Sequence, residues 1–552
     1  MLKFKMTSRL IVAAAVVTVT TLATTAQKKL ERAESSGFTR RIETSTPNFR
    51  PILTLENETV FNPLGKNDRI PAMPGVLSLS KSAPSKEVVT DVPVLYGCVI
   101  ASRPNADGVK HSVAMYSFSN DVFTQKNSGT KATQAQGSGA RVGDNYYALR
   151  RTGTGKMYVD RFNSRTWSRA AATSVSNVGL MASDVAYDPT SDIVYGCFYN
   201  SQGNGYVFGK VDYATRVRTE IKPLDMQWNA VMADADGQIY AIDMNGDLLK
   251  VDKTSGDFTV VGNTGVVPAY QTSATIDLST DRCFWVAMPA TAVSSLYEVD
   301  LTTAVATKLY DFACNDEITG MFAEPVATPA DAPAAVENLK ADFTDNSLSG
   351  SVSFTAPSVT CGGESGSGTL TYKLWSNGVL RATASCSYGE DVSIPLTMDK
   401  GDKYYIVAAV SNEAGRSPIS RVATFIGNDT PKAPAPVVTR EDDEFVISWE
   451  KVQASVNGGY INPDQLTYTV RRYPDDVEIA SGISETTVRD LVPEVYGQMI
   501  PYKYSVSATF EGNTGAAGTS DYYPLGTIVP PYIEGFDDAE SINNFIIIDS
   551  NG

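Results

Sequence analysis

The chain of 552 residues has a single histidine, His111. Zinc sites built on two or more histidines are therefore excluded. His111 ends the polar segment Asp107–His111, whose composition is typical of a loop between strands. We expect its imidazole ring to be exposed to solvent.

Basic residues are also fewer than acidic residues. The chain has 46 Lys and Arg residues against 62 Asp and Glu residues, which gives a formal net charge of -16. A negative charge of this size repels phosphate backbones and anionic lipid surfaces. Nucleic acid is therefore not an expected partner.

Long apolar runs are absent after the N-terminus, and no later segment approaches the roughly 20 apolar residues that a membrane-spanning helix needs. At the N-terminus, the basic residues Lys3, Lys5 and Arg9 precede the apolar run Leu10–Ala23. This order is typical of a secretory signal, and we expect cleavage after Ala26. The sequence predicts a secreted or outer-surface protein without a transmembrane segment in this chain.

The six cysteines are too widely spaced to indicate a dense disulfide framework. Cys98 and Cys197 occupy the same place in a repeat described below, so we expect them to be buried apolar residues rather than partners. Cys361 and Cys386 lie in one later module, and a disulfide between them and two free thiols remain equal alternatives. Cys283 and Cys314 form a further candidate pair, which we do not favour.

What the chain does have is one strand pattern that recurs about every 45 residues between Asp91 and Pro325. Its aromatic second strand appears at Ile193–Cys197, Gln238–Ile242 and Arg282–Val286. A period of this length made of short strands is typical of β-propeller blades.

A lone strand, Ile318–Glu324, follows the last repeat. We expect it to pair with the first strand of the repeat region, near Val92, and so to close a ring of blades. Closure removes sheet edges that would otherwise be exposed. The count is five blades, or six if residues 50 to 80 supply another.

Two strand-rich modules of about 95 residues follow, separated by proline-rich segments. Each has a large aromatic residue on an early strand, Phe354 or Trp449, and a late strand that begins with tyrosine, Tyr405–Asn412 or Tyr504–Ala508. Both resemble fibronectin type III modules. The resemblance implies two immunoglobulin-like sandwiches with the early aromatic residue in the core.

The segments Tyr532–Asp537 and Phe545–Gly552 resemble the opening strands of cleaved-adhesin or MAM-like jelly-roll modules. Such modules are found in exported surface proteins of Gram-negative anaerobes. The chain stops inside the motif, so we expect a fragment of a longer protein, with any anchor beyond Gly552. By the same resemblance Asp549 and Asn551 would begin a calcium site, and calcium is the only cofactor indicated.

The sequence therefore predicts an all-β fold, with a β-propeller, two fibronectin type III sandwiches and a truncated jelly roll. The expected divisions are a signal peptide at 1–26, an extended lead-in at 27–90, the propeller at 91–325, a linker at 326–334, the two fibronectin modules at 335–428 and 432–526, and the jelly-roll start at 530–552.

Candidate sites are few. The turns Asp234–Gly237 and Asp243–Asp247 space their oxygens as calcium loops do, but Asp, Asn and Gly also favour tight hairpins, and we interpret both as turns. Most aromatic residues lie in alternating strands and are expected in the core. Trp228 and Tyr270 fall between repeats and are predicted to be surface rings that contact a ligand.

These patterns favour an exported binding or adhesion protein. Its propeller would recognise an extracellular glycan or protein, and the fibronectin modules would act as a spacer. The alternative is a secreted carbohydrate-active or peptidase enzyme, with its catalytic domain beyond Gly552 or with propeller carboxylates as catalysts. A structural component of an extracellular assembly is a third hypothesis. No motif marks a catalytic residue, so an enzyme is not the favoured interpretation.

Overall fold

The computed structural model describes residues 92–105, 107–127, 135–151, 156–175, 178–200, 205–291, 293–324, 328–494 and 498–526, together with two short strands near the N-terminus. These two strands, β1 (Ile52–Leu53) and β2 (Val60–Phe61), pair only with each other among the described residues. All the sheets are antiparallel and the fold is all-β.

Twenty strands make up the first large part of the described chain. They are β3 (Leu95–Arg103), β4 (Ala114–Ser119), β5 (Val122–Gln125), β6 (Ala135–Val142), β7 (Asn145–Arg151), β8 (Met157–Asn163), β9 (Arg169–Val175), β10 (Ala182–Asp188), β11 (Ile193–Tyr199), β12 (Tyr206–Asp212), β13 (Val217–Leu224), β14 (Trp228–Ala233), β15 (Ile239–Asp243), β16 (Asp247–Val251), β17 (Phe258–Asn263), β18 (Ser273–Asp277), β19 (Arg282–Ala287), β20 (Ser295–Val299), β21 (Ala306–Asp311) and β22 (Asn315–Ala323).

These strands form five four-stranded sheets, four of which follow chain order: β6 to β9, β10 to β13, β14 to β17 and β18 to β21. The fifth has the order β22-β3-β4-β5, so the last strand pairs with the first. Cα partners in this pair include Asn315 with Arg103 and Ile318 with Val99. The predicted pairing of the late strand with the first strand is confirmed.

The five sheets are arranged in a cycle. The first strands of neighbouring sheets contact each other in the order β6, β10, β14, β18 and β22, and β22 in turn contacts β6. We call this arrangement the five-sheet ring. The first strands β14 and β18 are buried along their whole length because other sheets cover them, whereas the fourth strand β17 is largely exposed.

Apolar side chains fill the spaces between neighbouring sheets. Trp285 is completely buried, and Cys98 and Cys197 are buried and form no disulfide, as the repeat predicts. A short 3-10 helix, Val178–Leu180, precedes β10.

Module 1 comprises β23 (Glu337–Asp342), β24 (Ser349–Thr355), β25 (Thr369–Ser376), β26 (Val379–Ser387), β27 (Asp391–Thr397), β28 (Asp402–Asn412), β29 (Gly415–Arg416) and β30 (Ser420–Ile426). One sheet has the order β23-β24-β27, and the other is built from β26, β25, β28, β29 and β30. Their facing side chains form one core, in which Phe354 is buried as predicted.

Module 2 repeats this plan with β31 (Val437–Glu441), β32 (Glu444–Ser448), β33 (Thr467–Tyr473), β34 (Val477–Ile483), β35 (Thr487–Leu491), β36 (Met499–Phe510), β37 (Asn513–Thr514), β38 (Gly518–Thr519) and β39 (Tyr523–Gly526). A 3-10 helix, Pro463–Gln465, precedes β33. The sheet β31-β32-β35 faces a sheet built on β34, β33 and β36. Trp449 is buried in this core and packs edge-on against Tyr468.

In the part of the chain described, no helix has the length and apolar character that crossing a membrane requires.

Candidate functional site

A buried carboxyl group ties the first strands of the ring together. Asp184, on β10, is fully buried, and its Oδ2 accepts hydrogen bonds from the backbone N–H groups of Val231 at 3.0 Å and Ala274 at 3.4 Å. Its Oδ1 accepts a hydrogen bond from the Ser273 hydroxyl at 3.0 Å. Ser273 Oγ in turn accepts the N–H of Met321 at 3.0 Å. One carboxyl and one hydroxyl therefore connect β10, β14, β18 and β22.

Two further side chains extend this network. The Tyr146 hydroxyl, from β7, donates to the carbonyl oxygen of Gly320 at 2.9 Å. The Gln271 side-chain amide donates to the carbonyl oxygen of Ser183, which lies two sheets away. We call Tyr146, Asp184, Gln271 and Ser273 the central plug, because their side chains link strands across the ring. These side chains therefore connect strands that belong to different sheets.

Burial raises the pKa of Asp184 to about 8, although its hydrogen bonds to Val231, Ser273 and Ala274 act in the opposite direction. Removing a carboxylate from water disfavours its charged form, and backbone N–H groups compensate only in part. The buried, hydrogen-bonded position of the Asp184 carboxyl group favours a structural role.

The only histidine lies against the closing strand of the ring. His111 Nδ1 is 2.8 Å from Oδ2 of Asp316, a fully buried residue on β22. The imidazole also stacks on Phe123, with ring centroids 4.5 Å apart. Only 21% of the His111 side chain is exposed, so the expectation of a solvent-exposed histidine is wrong. The hydrogen bond to Asp316 raises the pKa of His111.

Module 1 packs against one face of the ring. In the four sheets that follow chain order, this face carries the turns between the first and second strands, including Asp236 between β14 and β15. Lys373 of module 1 forms an ion pair with Asp236. Arg416, also of module 1, donates from Nη1 to the Ala235 carbonyl oxygen at 2.5 Å and lies 3.5 Å from Asp236 Oδ1.

The opposite face carries the connections between second and third strands and those between successive sheets. Val109, which is 56% exposed, lies on the first kind of connection, whereas Met226 and Val267 lie on the second, with Val267 51% exposed. We define the open face by these three side chains. Because they are exposed, neither sandwich covers them.

A cavity of about 440 Å³ lies between the ring and module 1. Residues of module 1 from Gly415 to Ile419, together with Arg421, form one side of it. The ring contributes an apolar wall that includes Val185, Ala186, Met232, Ala274, Ile276 and Phe322. We call it the ring cavity. Its volume falls in the range of small-molecule sites, and its place between two domains is common for them.

The two aromatic residues predicted as surface rings are not at the surface. Trp228 is 1% exposed and Tyr270 is 6% exposed. The indole of Trp228 lies between sheets, with its centroid 5.4 Å from that of Phe208 and 5.8 Å from that of Phe258. The prediction of a surface position is therefore wrong, because Trp228 begins a first strand and its ring fills the space between sheets.

None of the six cysteines is in a disulfide, so the candidate bond between Cys361 and Cys386 is not formed, nor is one between Cys283 and Cys314. Cys386 belongs to the buried core of module 1, whereas Cys361 is exposed in a turn and its thiol donates to the Pro333 carbonyl oxygen at 3.2 Å. The two thiols have different surroundings.

The acidic turns are hairpins, as predicted. Asp234 Oδ1 accepts the N–H groups of Asp236 and Gln238, and Asp243 Oδ1 accepts those of Asn245 and Asp247. Within the described residues, no group of three or more His, Cys, Asp or Glu side chains is placed to hold a metal ion. The predicted calcium ligands Asp549 and Asn551 lie outside the described residues.

No family model and no curated protein matches this chain. Similar solved structures include the FN1–FN3 domains of chicken CNTN1, with 14% identity over 43% of this chain and 77% of that chain, at a TM-score of 0.15. A nidogen–laminin complex has 10% identity over 42% and 98%, at 0.27. A set of titin domains has 12% identity over 43% and 75%, at 0.16. Because these TM-scores are low, the sandwich description depends on the strand order and cores given above.

Proposed function

We propose that this chain is an exported binding protein. The five-sheet ring would be a five-bladed β-propeller that recognises an extracellular glycan or protein ligand through its open face. The two sandwiches would be fibronectin type III modules that hold the ring away from its point of attachment. The N-terminal signal pattern supports secretion or display on the outer cell surface.

The observation that carries this function is the asymmetry of the ring. One face is occupied by module 1 through Lys373 and Arg416, whereas the other carries exposed apolar side chains on its connecting segments. Connections held on a rigid scaffold are the usual place for recognition residues. The central plug and the β22–β3 pairing support such rigidity.

Binding of the mature chain to a glycan array and to extracellular-matrix proteins tests this function. We expect a selective ligand, and we expect Val109→Asp and Val267→Asp to weaken binding about tenfold or more, because each places a charge in an apolar contact. Val217→Asp and Val260→Asp are matched controls, since these valines are equally exposed but lie on outer strands.

Absence of any selective glycan or protein ligand would contradict the proposed function. Equal loss of binding in the open-face and outer-strand variants would also contradict recognition by the open face, because it would place the contact elsewhere or indicate a general effect of charge.

A further inference from the structure

One connection of the open face is held against the closing strand of the ring. It joins β3 to β4, and its residues 107–111 include Val109, one of the three side chains that define the open face. The last of these residues, His111, contacts Oδ2 of Asp316 on β22 through Nδ1, at 2.8 Å. We call residues 107–111 the Val109 segment.

Three further hydrogen bonds hold the Val109 segment. The His111 N–H donates to Ser102 Oγ at 3.2 Å, and the Cys314 thiol donates to the Val109 carbonyl oxygen at 3.3 Å. The Val109 N–H donates to Asn105 Oδ1 at 2.9 Å. All three bonds join neutral groups, and burial raises the pKa of the Cys314 thiol, so we expect them to change little near neutral pH.

The His111 imidazole is packed among aromatic and acidic groups. Phe123 stacks on it at 4.5 Å between ring centroids, and the Tyr116 ring lies 5.2 Å away. The hydrogen bond to Asp316 and the charge of Asp121, in the turn between β4 and β5, raise the pKa of His111, whereas partial burial acts in the opposite direction. Both acidic groups therefore favour the imidazolium form.

The Asp316 carboxyl group depends strongly on this contact. It is completely buried, and its Oδ1 has no hydrogen-bond partner among the described residues. A buried carboxylate that loses its cation is left with an uncompensated charge. Neutral His111 can still donate one hydrogen bond to Asp316, but without the charge that strengthens it. Release of His111 to water should therefore cost less free energy at high pH than at low pH.

We propose that His111 and Asp316 form a pH-dependent anchor, which holds the Val109 segment in place on the open face in slightly acidic medium and weakens when the imidazole loses its proton. His111 is thus a positioning residue for Val109. As a regulator of recognition, the anchor rests on the function proposed for the open face. The anchor itself can be measured without any ligand.

Hydrogen–deuterium exchange of the full chain between about pH 5.5 and pH 8.5 tests the anchor. Each rate is first corrected for the pH dependence of exchange in an unstructured peptide. We expect protection of the Val109 segment to fall about threefold or more as pH rises through the folded pKa of His111. Strand β33 of module 2 is the reference, and its protection should stay constant.

Two variants identify the titrating group. His111→Gln removes the ionisable ring but keeps an amide that can donate to Asp316, so protection of the Val109 segment should become independent of pH over this range. Asp107→Asn is the matched control, because Asp107 is an exposed charged residue of the same segment. We expect this variant to keep the pH dependence of wild type.

Protection of the Val109 segment that is independent of pH in wild type, or absent at every pH, would overturn the inference. The wild-type pH dependence in His111→Gln would do so as well, because another group would then be titrating. These outcomes leave the glycan and matrix-protein tests of the open face unaffected, so failure of the anchor is distinguishable from failure of the proposed function.

Discussion

At the scale of single residues, the structure depends on polar groups placed inside an apolar ring. Asp184 occupies a position where the equivalent residues of the next two repeats are Ala230 and Ser273. Among these three repeats, only the one that contains Asp184 has an acidic residue at this position. This acidic residue is the sequence signal for the structural role of Asp184. The three hydrogen bonds of its carboxyl group, to Val231, Ser273 and Ala274, would be lost with alanine at this position.

Asp184→Asn should change the pH dependence of ring stability. Because burial raises the folded pKa of Asp184 to about 8, its contribution to stability is complete below the unfolded pKa of about 3.9 and is lost as pH rises through about 8. Asp184→Asn has no titrating group at this position and does not lose this contribution. The free energy of unfolding of the variant, relative to that of wild type, should therefore rise by roughly 1.4 kcal/mol per pH unit between the unfolded and folded pKa values of Asp184. Hydrogen exchange of ring peptides across a urea series measures the difference.

Asn is a suitable replacement because its carbonyl oxygen can accept the two backbone N–H groups and its amide can donate to Ser273. Asp184→Ala is the control for the hydrogen bonds, because it also lacks the titrating carboxyl group but leaves those donors unpaired. We expect it to be less stable than Asp184→Asn by about 1–3 kcal/mol or more at every pH. Parallel pH profiles for Asp184→Asn and wild type would refute the assignment of a raised pKa.

His111 offers a direct spectroscopic test, because its ring gives the only histidine signals in untagged protein. We expect its titration midpoint in NMR to lie above the usual value of about 6.5, since the Asp316 carboxylate stabilises the imidazolium. Asp316→Asn should lower the midpoint. The contribution of this pair to the stability of the folded protein is complete below the pKa of His111 in the unfolded state. It is lost as pH rises through the pKa of His111 in the folded state. A wild-type midpoint at or below the usual value would contradict the pairing.

At the scale of strands, β22 is the element on which the ring depends. It pairs with β3, contacts β18 and β6, and receives the Tyr146 hydrogen bond at Gly320. Gly320 has a φ of +60°, and a Cβ there would lie 2.3 Å from the Tyr146 hydroxyl oxygen and 2.8 Å from the Gly139 nitrogen. Only glycine fits this close approach.

Gly320→Ala should therefore destabilise the ring more than a positive φ alone would explain. Gly265→Ala is the matched control, because Gly265 has a φ of +78° but nothing lies within 4 Å of its added Cβ. We expect a cost of about 1 kcal/mol for the control and at least twice that for Gly320→Ala, measured by urea unfolding. Equal costs would show that the contact with Tyr146 is not tight.

The strands themselves were largely predictable, because a repeated alternation of apolar and polar residues marks each sheet. The pairing of β22 with the first strand could be predicted because a lone strand remains after the last complete repeat. Trp228 was misplaced because it lies just before the recognised apolar pattern, yet it begins β14. His111 was misplaced because its partner Asp316 is 205 residues away in sequence, beyond the reach of any local pattern.

At the scale of the whole molecule, a ring and a sandwich share one carboxylate, that of Asp236, through Lys373 and Arg416. This join could not be predicted from the sequence, because its partners are charged residues from separate modules with no common spacing. The ring cavity could not be predicted either, because residues of the ring and of module 1 line it together. The join leaves the open face as the surface directed away from module 1.

The pairing of β22 with β3 is the central claim, and a cross-strand disulfide tests it most directly. Arg103 and Asn315 are Cα partners at a partly exposed end of this pair. In a Cys361→Ser background, we expect Arg103→Cys with Asn315→Cys to form a disulfide on mild oxidation, detected by mass spectrometry as one cross-linked peptide. Arg103→Cys with Asn263→Cys, on another sheet, should remain reduced. Two free thiols in the first variant, with the protein folded, would contradict the closed ring.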